Sequence, residues 1–204
     1  MLRNLRALTL LVLLSPGAAM AIEEPNFTVE SKTARYEIRS YGPVLVAKTT
    51  IEASFDDAGN RAFRILADYI FGNNRSRTKV AMTAPVIQQA QSEKIAMTAP
   101  VNQVKTPGGF LVQFTMPAGF TLATLPEPND TRVHLREIPA HRVAVKAYTG
   151  SWSEAHYHRK LAELRSALIQ DGVRTTGEPV FARFNSPFQL WFLRRNEIWI
   201  EVVS

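Results

Sequence analysis

The sequence predicts an α+β fold: an antiparallel, distorted barrel-like β-sheet with two outer helices and a pseudo-twofold internal duplication. Three observations lead there. Most of the chain reads as short β-rich runs separated by turns containing Gly or Pro. Only two stretches carry apolar residues at helical spacing. The order strand, strand, capping sequence, helix also occurs twice. Shifting the first half by 97 positions lays Arg39 on Arg136, Val46 on Val143, Ala47 on Ala144, Ser54 on Ser151, Phe55 on Trp152 and Asp57 on Glu154. Two such halves can pair about a twofold axis, with both helices covering a shared sheet.

Composition narrows the function classes. The chain has 204 residues, 46% of them hydrophobic and 21% charged, enough apolar material for a sizeable core. It has no cysteine, which excludes disulfides, thiolate metal sites, a cysteine nucleophile and covalent c-type haem attachment. Twenty-four Lys and Arg against eighteen Asp and Glu give a net charge of +6, a mild excess that does not call for a nucleic-acid partner.

Residues 1–21 read as a secretory signal peptide. Arg3 and Arg6 form a positive start. Ala7 to Leu14 is an apolar run too short to span a bilayer, Ser15-Pro16-Gly17 breaks any helix, and Ala19-Met20-Ala21 fits a cleavage site. Residues 22–204 then form a single domain, expected to be soluble in the periplasm or outside the cell. Residues 35–51 predict two strands around Tyr41-Gly42-Pro43. Ser54-Phe55-Asp56-Asp57 is a capping box, because the Ser54 oxygen can accept the Asp57 amide. It opens a helix from about Asp56 to Phe71, stopped by Gly72-Asn73-Asn74.

Two near-identical octamers follow, KVAMTAPV at Lys79–Val86 and KIAMTAPV at Lys94–Val101. They read as a hairpin whose strands end or bulge at their prolines. Phe110, Val112, Phe114 and Met116 alternate along a further strand. Val133 to Ala147 predicts two strands around Pro139-Ala140. Ser151-Trp152-Ser153-Glu154 reads as a second capping box, with a helix to about Gln170. Val180–Phe184 and Ile198–Val203 read as closing strands.

The two helices differ. The first has a core stripe of Ala62, Leu66, Tyr69 and Ile70 and a second apolar stripe of Phe63, Ala67 and Phe71 leading round to Asn60 and Arg64. The second has one stripe, Tyr157, Leu161, Leu164 and Leu168. The extra stripe is either covered by a loop or forms a groove for a flat apolar ligand, with Arg61 and Arg64 at its rim to meet carboxylates.

Catalytic signatures do not stand out. The chain lacks G-x-S-x-G, a Walker loop, G-x-G-x-x-G and H-E-x-x-H. His156 and His158 are two apart, which on a helix points them to different sides. The basic run Arg75–Lys79 has no interleaved aromatics for nucleic-acid stacking.

Seven segments together resemble the SOUL haem-binding proteins. They are Tyr36-Glu37-Ile38-Arg39-Ser40-Tyr41, Tyr69-Ile70-Phe71-Gly72-Asn73, both Met-Thr-Ala-Pro-Val copies, Phe120-Thr121-Leu122, Leu125-Pro126-Glu127-Pro128 and Arg194-Arg195-Asn196-Glu197-Ile198-Trp199. The doubled motif looks like the bacterial and plant branch. The resemblance implies the pseudo-twofold fold and non-covalent binding of haem or a related tetrapyrrole in an apolar groove along the first helix. Carried onto this chain, that helix position is Phe63 and the closing loop is Phe188 to Phe192, which coincides with the extra apolar stripe. Together they give the candidate site Phe63, Arg64, Ala67, Phe71, Phe188 and Trp191, with Arg61, Arg194 and Arg195 as candidate rim residues. Some relatives carry a histidine at the position of Ser40 as a proposed axial ligand. In this chain His134, in a strand, and His141, beside a turn, are candidate lone iron ligands, the alternative being surface or satisfied histidines. Basic positions of relatives fall on Ile65, Asp68 and Leu190. The expected role is a carrier, buffer or sensor and not an enzyme. The alternatives are a small-molecule hydrolase or effector-binding domain on the same fold, and an envelope protein that docks a partner.

The signal-peptide reading has a direct check. N-terminal sequencing of protein from its native compartment is expected to begin at Ile22, and a sequence retaining Arg3 would refute it.

Overall fold

Two helices pack on one face of a nine-stranded antiparallel sheet. The fold is described by a computed structural model over residues 22–76, 92–186 and 188–203. The signal-peptide segment and the first octamer, with most of the turn after it, lie outside the described residues. Along the chain run β1 (Phe27–Lys32), β2 (Glu37–Tyr41), β3 (Val44–Ile51), α1 (Phe55–Ile70), β4 (Asn74–Arg75), β5 (Val101–Thr106) and β6 (Gly109–Thr115). They are followed by β7 (Glu127–Pro128), β8 (His134–Ile138), β9 (His141–Thr149), α2 (Glu154–Gln170), β10 (Thr175–Arg183) and β11 (Arg195–Val202). A single 3-10 turn occupies Trp191–Leu193, and β4 pairs with β7 as a small separate ribbon. No described helix is long and apolar enough to cross a membrane.

The sheet order is β1-β2-β9-β11-β10-β5-β6-β3-β8. Leaving aside the edge strand β1, this order is a palindrome about the β10–β5 pair. The two halves also interlock, since β2 pairs with β9 and β3 with β8. The offset of 97 seen in the sequence maps one ladder onto the other. Arg39 opposite Val143 becomes Arg136 opposite Val46, and Ile38 opposite Ala144 becomes Leu135 opposite Ala47. Register and sequence therefore report the same twofold relation.

Each helix forms for local reasons and buries the stripe its sequence specifies. Ser54 caps α1, its hydroxyl accepting the Asp57 amide at 3.3 Å, and Asp56 and Asp57 complement the helix dipole. Ala62, Leu66, Tyr69 and Ile70 are buried against Ala47, Val112, Phe114 and Met116. Tyr157, Leu161, Leu164 and Leu168 of α2 are buried against Ile38, Ala144, Phe181, Ile198 and Ile200.

Three expectations need correction. Lys94–Val101 is not a strand. Thr98 makes an isolated bridge to Glu23, and ladder pairing starts at Val101, after the donor lost at Pro100. The segment is held irregularly, by Ile95 N–H on the Ile70 carbonyl at 2.8 Å and by the Thr98 hydroxyl on the Thr115 carbonyl. Second, Val101–Thr106 forms a hairpin with β6, a strand absent from the sequence reading. Third, the cap of α2 is Ser153, not Ser151, and its side chain caps nothing. Instead the Glu154 amide donates to Asp56 Oδ1 at 3.1 Å, so the first helix supplies an acceptor to the start of the second.

The face of the sheet away from the helices holds an ionic knot. Glu197 is fully buried. Its carboxylate accepts Arg39 Nη1 on both oxygens at 3.2 and 3.1 Å, Arg195 Nη2 at 2.9 Å and Trp199 Nε1 at 2.7 Å. Arg39 also holds Glu37 at 2.7 Å, and Glu37 holds Lys32 at 2.8 Å. Burial pulls the Arg39 guanidinium down, but contacts with Tyr41, Glu197 and Glu37 outweigh it and raise it above its ordinary value. The knot ties β2 to β11 across β9.

Truncating one partner of a buried ion pair leaves a buried charge without compensation. Glu197→Ala is expected to destabilise the fold by about 3–5 kcal/mol, read from the urea midpoint. A loss below about 1 kcal/mol, the scale of a surface pair, would refute the role given to the knot.

Candidate functional site

A groove of about 390 Å³ runs beside α1 on the helix-bearing face, within the size range of small-molecule sites. Gly59, Asn60, Phe63 and Phe71 of the first helix and its end form one wall. Met97, Thr98, Ala99 and Val101 form another. Trp152, Arg183 and the segment Phe184–Ser186 complete it with Phe188 and Ile22. Among the described residues the lining is mainly apolar, with one charged side chain.

That side chain is Arg183, the last residue of β10, only 7% exposed. Its Nη2 donates to Gln103 Oε1, whose own amide is anchored on the Phe55 carbonyl at 3.0 Å. The rings of Trp152 and Phe181 lie 5.2 Å from the guanidinium carbon, near enough for cation–π attraction. The Nε has no hydrogen-bond partner. Among the described residues no carboxylate lies within ion-pair distance of Arg183. Burial pulls the guanidinium down to about 10, opposed by Tyr148 and Asp56, so it remains a cation at neutral pH.

Gly59 makes this arrangement possible. A Cβ there would overlap the guanidinium nitrogens of Arg183. A glycine in mid-helix costs about 1 kcal/mol relative to alanine, and here it clears the space that the arginine fills.

The structure gathers some of the expected residues and separates others. Phe63, Phe71 and Phe188 line the groove together. Phe63 is half-buried with its ring 5.5 Å from Phe114, while Phe188 is almost fully exposed. Ala67 is buried in the core and does not line the groove. Arg61 and Arg64 are exposed on α1, away from the lining. Trp191 is exposed, edge-on to Phe192 at 5.7 Å, and Trp152 occupies the groove wall instead.

The two arginines before and at the start of β11 diverge, as strand alternation requires. Arg194 lies 4.2 Å from the Trp152 ring, beside the groove, and donates to the Gln189 carbonyl at 2.9 Å. Arg195 turns to the ionic knot, pairing with Glu24 at 3.0 Å and Glu197 at 2.9 Å. His134 is exposed on edge strand β8. His141 stacks on Tyr41 at 5.5 Å, its Nδ1 2.9 Å from the Pro139 carbonyl. Neither lines the groove. Ser40 donates to Glu30 and does not line it either. Among the described residues no three His, Asp or Glu side chains converge to hold a metal.

Arg183, Gly59 and Trp152 were not singled out from the sequence. Two signals pointed to them: a glycine inside a strongly amphipathic helix, and an arginine two residues after Phe181 on a buried strand.

A palindromic antiparallel sheet, two helices on one face and an apolar groove beside the first helix define an α+β domain with a ligand-sized site. A family model described as SOUL heme-binding protein matches residues 22–201. The chain belongs to the SOUL heme-binding protein family. It is 28% identical to human Heme-binding protein 2, over 90% of this chain and 88% of that protein. Among solved structures, the EcmrR C-terminal domain matches with a TM-score of 0.55 at 12% identity, covering 83% of this chain and 98% of that one. A hydrolase from Listeria innocua matches at 0.54 and 12%, covering 85% and 94%. These two likenesses concern the fold.

Gly59→Ala separates helix propensity from packing. Propensity alone favours alanine, but the added methyl must displace Arg183, so a net loss of about 1–3 kcal/mol is expected in thermal unfolding. A gain in stability would contradict the packing described.

Proposed function

We propose that this protein binds haem or a related tetrapyrrole, non-covalently, in the groove beside α1. It does so as a carrier, buffer or sensor outside the cytoplasm. The observation that carries the reading is the groove itself, an apolar wall of Phe63, Phe71, Phe184 and Phe188 on a chain of the SOUL family. Relatives whose names state heme binding support it. The donor set fits the ligand's chemistry, since the phenyl rings supply apolar area for a macrocycle face and Arg183 supplies a cation for a propionate. Such a ring, when bound, brings its own optical and redox chemistry, while the chain holds and orients it. With no histidine in the described lining, the apolar face and not an iron–ligand bond supplies most of the affinity.

The fold shared with a hydrolase raises the enzymatic alternative. A hydrolytic reading needs a carboxylate facing the groove. Asp68 is exposed and accepts from Asn73, and Glu37 is tied to Lys32 and Arg39. Neither lines the groove. The one charged residue in the described lining is a cation, which favours binding an anion over acid–base chemistry.

Titration of the purified protein with haem, followed in the Soret region, tests the proposal. Saturable binding at micromolar haem is expected, and no saturable change would remove it. Phe63→Asp places a charge against the apolar face. It is expected to weaken haem and the iron-free ring alike, by about tenfold or more, given roughly 1.5–3 kcal/mol for a buried aromatic side chain. At least a tenfold preference for haem over the metal-free ring would show instead that the iron is being read.

A further inference from the structure

We propose that Arg183 receives a carboxylate of the groove's ligand, so that the ligand enters acid-first and the groove selects apolar acids over their neutral esters. Identifying that acid as a tetrapyrrole propionate rests on the function proposed above; the selection of acids does not.

The argument begins with the cost of the arginine. A guanidinium has five N–H donors and no acceptor. Buried charges are normally paired, because desolvation costs several kcal/mol per ion. Arg39, on the other face, obeys this rule with two carboxylates. Arg183 does not. It is more than nine-tenths buried and, among the described residues, holds one hydrogen bond to a neutral amide and leaves Nε without a partner.

The surrounding groups do not supply the missing anion. Asp56 acts on Arg183 only at a distance, and its Oδ1 is engaged by the Glu154 amide at 3.1 Å. Tyr148 has a buried hydroxyl without a partner, and burial pushes its ionisation far up, so it stays neutral. Trp152 and Phe181 steady the cation without neutralising it. Gln103 and Gly59 fix its position from two sides. The result is an oriented cation set in the apolar lining, and the direction left open to an anion is the groove. A carboxylate suits the planar fork of donors, which can hold both its oxygens. An apolar body then lies along Phe63, Phe184 and Phe188. The ligand is held with its acid inward, not trailing every carboxylate into water.

Two pairs of probes test this without relying on one ligand class. The first pair is haem and haem dimethyl ester, followed in the Soret region. The second is 1-pyrenebutyrate and its methyl ester, followed by pyrene fluorescence. The native protein is expected to bind each acid at least about tenfold more tightly than its ester, the scale of a hydrogen bond to a charged group. Arg183→Met should bring acid and ester within about twofold, and Arg183→Lys should keep part of the preference. The native acid-to-ester ratio needs no variant, so a folding defect in either one does not rescue the idea. Haem and its ester binding equally to the native protein would sink the inference while sparing the tetrapyrrole reading. An Arg183-dependent preference for pyrenebutyrate, with no haem binding, would do the reverse. A preference that survives in folded Arg183→Met, or no binding by either acid, overturns the inference.

Discussion

The carboxylate of Glu197 is the point on which the sheet turns. It sits fully buried on β11, yet three donors from two strands converge on it. Strands β2 and β11 do not touch each other as ladder neighbours, because β9 lies between them. Arg39 reaches across that strand to Glu197, joining the first half of the chain to the second by side chains as well as by backbone. A buried carboxylate with one partner would be a liability, since desolvation outweighs a single attraction. With two arginines and an indole it is satisfied, and any packing that separates β2 from β11 strands a charge. The knot thus specifies the pairing of the halves more than it adds net stability.

The two buried arginines among the described residues divide by that same rule. Arg39 is wrapped in acids; Arg183 is wrapped in rings, an amide and a glycine. Both are almost wholly shielded from solvent, so exposure does not separate them. What separates them is whether the chain carries its own counter-charge. Where it does, the arginine belongs to the scaffold. Where it does not, a position of unspent attraction is left inside an otherwise apolar wall. Helix α1 gives up propensity at Gly59 to keep the guanidinium there, which local stability alone would not favour.

Much of this was readable in the sequence wherever the determinant was local. The cap of α1 is a contact between residues three apart, and both helical stripes follow from spacing. The duplication was legible because the same offset governs residues and register. The second cap was not, since the acceptor at the start of α2 comes from Asp56 in the other half. Strand β10 begins at Thr175, earlier than expected. Gly177 and Pro179 both fall within the register shift between Thr176 and Val180. The groove was half legible. Phe63 and Phe71 announced themselves by helical spacing, Phe188 came only through the family resemblance, and Arg183 needed knowledge of which strand face the helices cover. Trp152, read as part of a capping box, instead lines the groove and donates its indole N–H to Asn196 Oδ1 at 2.8 Å.

The interlocked ladder also bears on how the chain acquires its structure. Ile38 pairs with Ala144 and Leu135 with Ala47, so neither half completes a sheet from its own strands. Such pairings close very long loops, and topologies dominated by them assemble slowly because the entropy of closure is spent before the contacts form. The N-terminal half therefore holds unsatisfied edges until β9 is available. A chain synthesised N-terminus first completes its sheet only once β9 (His141–Thr149) has emerged, so the duplication that gives the domain its symmetry also ties its two halves into one folding step.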